Sequence, residues 1–129
     1  MAGFWVYCVQ KNIDRSGGAG LPGAMGESMH LSKQIESMYD DAVRIRQDLH
    51  RIPEIGFQLR DTQAYVLREL KQCGPDRIET PAVCGVKAVF FAKDAETTIA
   101  FRADMDGIHN DEANDVPYCS QRPGNMHGC

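Results

Sequence analysis

The feature that most constrains the fold is a change of hydrophobic period at Gly74-Pro75. Before it, Ile35, Met38, Tyr39, Ala42, Ile45 and Leu49 recur at helical spacing and make one stripe of an amphipathic helix. After it, Val86, Ala88 and Phe90 alternate with Lys87 and Val89, and Thr97 to Ala103 is a β-branched and aromatic run. Helices come first and strands second, so the expected fold class is α/β, an α/β or α+β layer rather than a closed domain.

The breakers set the boundaries. Ser32 suits the N-cap of the first helix, and Pro53 forbids its continuation much past Arg51. Pro53 to Phe57 reads as a short turn that Glu54 helps to fix. A second helix is expected from Asp61 or Thr62, with Val66, Leu67, Leu70 and Cys73 inward. Gly74 offers the left-handed cap and Pro75 the stop. Ile78 fits a short early strand, Lys93 to Glu96 a turn, and Gly107 to Cys129 a loop.

Residues 1–30 look different from the remainder, 31–129. Ser16 to Gly26 is glycine-rich and reads as a flexible leader. The apolar run Phe4 to Val9 is far shorter than the ~18 residues of a membrane span and lacks a preceding basic region. A net charge of −4, with Lys and Arg scattered rather than blocked, argues against nucleic-acid and acidic-membrane partners. Five cysteines without tight spacing suit reduced thiols in the cytoplasm better than a disulfide framework.

Two pairs of residues are candidates for chemistry. Asp104 and Asp106 stand on alternate positions at a strand end, where both carboxylates can face one cleft. They suit metal bridging or ligand orientation, or else are two solvated acids. His127 and Cys129 are ligand types for zinc, or a chance pair. Cys119 reads as a small semi-buried side chain, and His50 as a cation completing a helix C-terminus. His109 has no evident partner, His30 is expected to be exposed, and Glu112 and Asp115 to be solvated. There is no glycine-rich phosphate loop, no Gly-x-Ser-x-Gly elbow and no Cys-x-x-Cys pair.

In combination these pieces resemble a known family. Arg46-Gln47-Asp48-Leu49-His50-Arg51-Ile52-Pro53-Glu54-Ile55-Gly56-Phe57 resembles its opening helix and "LHxxPElgf" signature. Asp61-Thr62, with Leu70 and Cys73-Gly74, is similar to the helix that follows. Phe101 to Asp106 resembles "lRADMD", and Val116 to Ser120 with Pro123 to Cys129 resembles "lPyxSxxpGxMHACGHD". The family is the aminoacylase/hippurate-hydrolase group of dinuclear-metal amidohydrolases, and the likeness runs over roughly residues 40–129.

The resemblance implies the N-terminal part of a zinc-exopeptidase-like three-layer catalytic domain, incomplete here. It implies hydrolysis of the amide of a small-molecule N-acyl amino acid, hippurate-like, with two divalent ions (Mn or Zn). It maps Cys129 onto a metal ligand and Asp104 and Asp106 onto the catalytic metal cleft, with His127 in a supporting role. Cytoplasmic location and a possible homo-oligomer follow from the same likeness. The family's "AlP" after the second Asp is Gly107-Ile108-His109 here, and its glutamate pair and later histidines have no counterpart. The isolated chain is therefore expected to be inactive. The alternative is a non-catalytic interaction or regulatory module, or a pseudogene product, derived from such an enzyme.

Overall fold

The computed structural model describes the backbone of residues 5–10 and the full structure of 32–91 and 98–128. The elements are β1 (Trp5–Gln10), α1 (Tyr39–Arg51), α2 (Arg60–Gln72), β2 (Arg77–Glu79), β3 (Val86–Phe90), β4 (Thr98–Phe101), β5 (Ile108–His109) and β6 (Asn125–Met126). A helical stretch over 32–37 precedes α1 and breaks at Met38. The class is mixed α/β, as the change of period requires.

α1 is matched to its dipole at both ends, with Asp40 and Asp41 in the first turn and His50 and Arg51 in the last. It stops where Pro53 demands, Ile52 N–H closing on Leu49 O at 3.1 Å. The N-cap of α2, Leu59, has no side-chain oxygen to offer. Glu54 does the work from the preceding turn, its carboxylate accepting Asp61 N–H at 3.2 Å and Thr62 N–H at 2.8 Å. Beyond Gln72, Gly74 adopts φ +66°, the left-handed conformation that lets the chain turn toward β2.

The main sheet has the order β2-β3-β1-β4. β1 runs parallel to β3 (Trp5 opposite Val86, Val9 opposite Phe90) and antiparallel to β4 (Tyr7 opposite Phe101, Gln10 opposite Thr98). The structure thus places Trp5–Gln10 inside the sheet, whereas the sequence reading puts them in a flexible leader. The physical reason is edge satisfaction: an aromatic and β-branched hexamer can complete the hydrogen bonds of two strand edges at once. The glycine-rich part of the expected leader and the expected turn at Lys93–Glu96 lie outside the described residues. β2 pairs antiparallel with β3, and Glu79 meets its cross-strand neighbour Lys87 at 2.9 Å.

The core lies between α2 and one face of β3. Leu59, Tyr65, Val66, Leu70, Cys84, Val86, Ala88 and Met105 form it, with Ile45, Leu49 and Ile52 of the α1 side packed against it. Two sequence expectations need correction. Ile35, Met38 and Tyr39, the first half of the α1 stripe, are exposed rather than inward, because no described element lies across them. Cys73 is also exposed, while Tyr65 is buried. Tyr65 escapes a pattern reading because its polar tip is satisfied at depth, the hydroxyl donating to Asp48 Oδ2 at 2.8 Å.

Candidate functional site

Asp104 and Asp106 follow β4 in an irregular stretch and flank Met105, which is 3% exposed and anchored in the core. Asp104 is exposed and paired with Arg102 at 3.0 Å; Asp106 is half-buried. The next residue explains a departure from the family pattern. Gly107 is buried, and a Cβ there would come within 2.8 Å of Met126 O and 3.0 Å of Pro53 Cβ. Its N–H donates to Glu54 O at 2.7 Å, tying this strand end to the turn between the two helices.

The expected loop 107–129 contains a two-stranded ladder. β5 and β6 pair antiparallel, Ile108 opposite Met126 and His109 opposite Asn125. His109, expected to lack a partner, has its Nδ1 2.9 Å from Asn125 Oδ1. The ladder brings its flanking residues together, so that the His127 ring comes against the Asp106 backbone. His127 Nε2 is buried without a partner. Burial, and then the neighbouring His50, push the His127 imidazole below its usual range, which favours a neutral ring.

Behind His127 stands a buried acid that sequence reasoning placed in solvent. The Glu112 side chain is 5% exposed, with Oε1 2.9 Å from His50 Nε2 and Oε2 accepting Ser120 N–H at 2.7 Å. The Ser120 N–H and then His50 hold its carboxyl below the usual carboxylate range. An ionised carboxylate only accepts, so His50 carries its proton on Nε2. His50 is 8% exposed, buried in the last turn of α1 where the sequence reading put it. Its ring meets Tyr118 edge-on at 5.8 Å and lies 6.4 Å from that of His127. Nothing in the sequence separates Glu112 from its neighbours Asp111 and Asp115.

A groove of about 920 Å³ runs between α1, α2 and the 103–105 and 126–128 segments, lined among others by Ile45, Leu49, His50, Thr62, Asp104 and His127. Thr62 Oγ1, like His127 Nε2, is buried there without a partner. Cys119 does not join His127: its thiol sits in its own turn, donating to Val116 O at 2.8 Å. Cys129 lies outside the described residues. Among the described residues no group of three or more His, Cys, Asp or Glu side chains could hold a metal ion. They do not by themselves fit the two-metal centre that the resemblance implies. Among the described residues, too, no helix is long and apolar enough to cross a membrane.

Comparison with known proteins decides the lineage. The chain is 41% identical over 91 residues to the N-acetyldiaminopimelate deacetylase of Bacillus subtilis, covering 70% of the chain and 24% of that protein. The chain belongs to this amidohydrolase family. It is likewise 39% identical over 93 residues to the Exiguobacterium sibiricum deacetylase of the same name (68% of the chain, 24% of that protein). With the Bacillus velezensis one, identity is 42% over 88 residues, 67% of the chain and 24% of that protein. The chain spans about a quarter of the length of these curated amidohydrolase relatives. No family model and no solved structure matches it.

Proposed function

We propose that this chain forms part of the catalytic domain of an amidohydrolase that removes an acyl group from an N-acylated amino acid. The observation that carries the reading is the identity of 39–42% to three deacetylases over 88–93 residues. The relatives' name points to an N-acetylated diamino acid as substrate, in place of the hippurate-like amide expected from the resemblance alone. In this reading the domain is the zinc-exopeptidase-like three-layer type. Asp104 and Asp106 line the catalytic cleft, and Cys129 is a ligand to one of two Mn or Zn ions. The ladder that sets Asp106 against His127, two residues before Cys129, supports that arrangement. The enzyme works in the cytoplasm, takes a small-molecule N-acyl amino acid and forms a homo-oligomer. Activity requires the portion of the relatives that this chain does not match.

The test is a hybrid. Residues 1–129 are joined to the unmatched portion of the Bacillus subtilis relative and purified with Mn²⁺. Acetate release from N-acetyldiaminopimelate is measured beside benzoate release from hippurate. The hybrid is expected to release acetate, Asp106→Ala and Cys129→Ala to abolish it, and the 129-residue chain to release neither product. A folded, Mn²⁺-binding hybrid inert toward both substrates would overturn the deacylase reading. Hydrolysis by the 129-residue chain would overturn the requirement for the remainder.

A further inference from the structure

We propose that Glu112 is a positioning residue that sets β6 and the His127 that follows it against Asp106, with His50 as its anchor and Ser120 as its relay. The proposal deepens the deacylase reading and rests on it for the use made of that segment. The connections are continuous. Glu112 Oε1 takes the proton-bearing Nε2 of His50, in the last turn of α1, at 2.9 Å. Its Oε2 takes Ser120 N–H at 2.7 Å, and Ser120 Oγ donates in turn to Asn125 O at 2.7 Å, at the start of β6. β6 is the strand whose pairing with β5 brings His127 to the Asp106 backbone.

The 119–128 segment needs such a device. β6 is two residues long, too short to hold a register by itself. Its other ties lie at the surface: Gln121 N–H to Arg51 O at 2.9 Å, Gly124 N–H to Asp111 Oδ1 at 3.0 Å, the His109 and Asn110 side chains to Asn125 and Met126, and Arg122 to Asp61, an ion pair whose side chains are 42% and 52% exposed. Glu112 is the buried one. A carboxylate withdrawn from water with both oxygens occupied by a ring N–H and a backbone N–H fixes distance and direction at once, because any slip leaves a charge unpaired.

The experiment uses the ¹⁵N-labelled 129-residue chain, whose four histidine rings can be resolved by long-range ¹H–¹⁵N correlation. In the parent, His127, whose Nε2 is buried without a partner, is expected to show the single tautomer of a fixed ring. Glu112→Ala is expected to collapse that signature to the averaged one of a solvated imidazole. It should also speed amide exchange at Ser120 roughly tenfold or more, the opening that follows loss of a charge-assisted bond. Methyl shifts of Leu59, Val66 and Leu70 should not move. Glu112→Gln keeps the shape and still accepts the Ser120 N–H through its amide oxygen; its NH2 can donate to His50 Nε2 once that ring moves its proton to Nδ1, so it should restore the His127 signature. Should Glu112→Ala not fold, Ser120→Ala cuts the relay at its second link and is expected to give the same His127 change. The proposal is overturned if Glu112→Ala or Ser120→Ala leaves the His127 tautomer intact. It is equally overturned if the core methyls shift in step with His127 and Glu112→Gln rescues nothing. An inert hybrid beside an intact His127 response would sink the deacylase reading alone; the converse would sink only this one.

Discussion

Removing the Glu54 carboxylate tests whether a helix can be capped from outside its own sequence. Two N–H groups of the first turn of α2 depend on it, Thr62 at 2.8 Å and Asp61 at 3.2 Å, and the N-cap Leu59 cannot replace it. Thr62 is 2% exposed, so its N–H finds no water when the carboxylate goes. A lost cap costs about 0.5–2 kcal/mol, and a buried donor left unmade costs about 1–3 kcal/mol. These describe the same event, so they are not summed; the longer Asp61 bond and the loss of a negative charge at the helix start add about 0.5 kcal/mol. Glu54→Ala should therefore destabilise the chain by about 2 kcal/mol. Glu54→Gln, which can still accept the Thr62 N–H, should cost about 0.5–1 kcal/mol. The Glu54 carbonyl, which accepts Gly107 N–H at 2.7 Å, is untouched by either change. Urea unfolding followed by far-ultraviolet circular dichroism reads the difference, with an unchanged slope. A Glu54→Ala midpoint equal to the parent's, or equal losses in Ala and Gln variants, would show that the carboxylate does not cap α2.

Two further perturbations follow from the core. Leu59 is 1% exposed, and Leu59→Ala removes three buried carbons and leaves a cavity, so a loss of about 3–4 kcal/mol is expected in the same urea assay. Ile35→Ala, at a site 61% exposed, should change stability by less than about 0.5 kcal/mol; a comparable loss there would place the stripe inside after all. Burial, and then the bond to Asp48, push the Tyr65 hydroxyl up to about 12 from an ordinary 10.0. Because the folded value is the higher one, its stabilisation is complete below pH 10.0 and is lost as pH rises through about 12. Absorbance at the phenolate band should show one of the four tyrosines ionising last, together with unfolding, and Tyr65→Phe should remove that step. Four tyrosines ionising in a single step near the ordinary value would contradict the burial.

The sequence is legible where one local rule is strong. Pro53 ends α1 at Arg51, Gly74-Pro75 ends α2, and Val86 to Phe90 is β3 as its alternation requires. Ile78 lies in the short strand β2. The acids Asp104 and Asp106 and the terminal motif were legible as a family pattern, and the deacetylase relatives support the family itself. Three things were not. Glu112 looks like any loop acid, and its burial depends on His50, 62 positions away. The exposed start of the α1 stripe has the right period and no described neighbour to cover it. The crowding of Gly107 by Met126 O and Pro53 Cβ joins residues that no local stretch of sequence contains.

By itself, then, the order of residues determined where helices stop and strands run, since those limits come from backbone geometry and the period of apolar side chains within a few residues. It also determined which family the chain resembles, because motifs are local strings. Only the tertiary structure decided that β1 lies between β3 and β4, that a two-residue ladder sets Asp106 against His127, and that Glu112 is buried. Each of these pairs residues far apart in the chain. The free energy of such a contact depends on what else is already in place, and no window of sequence contains that information.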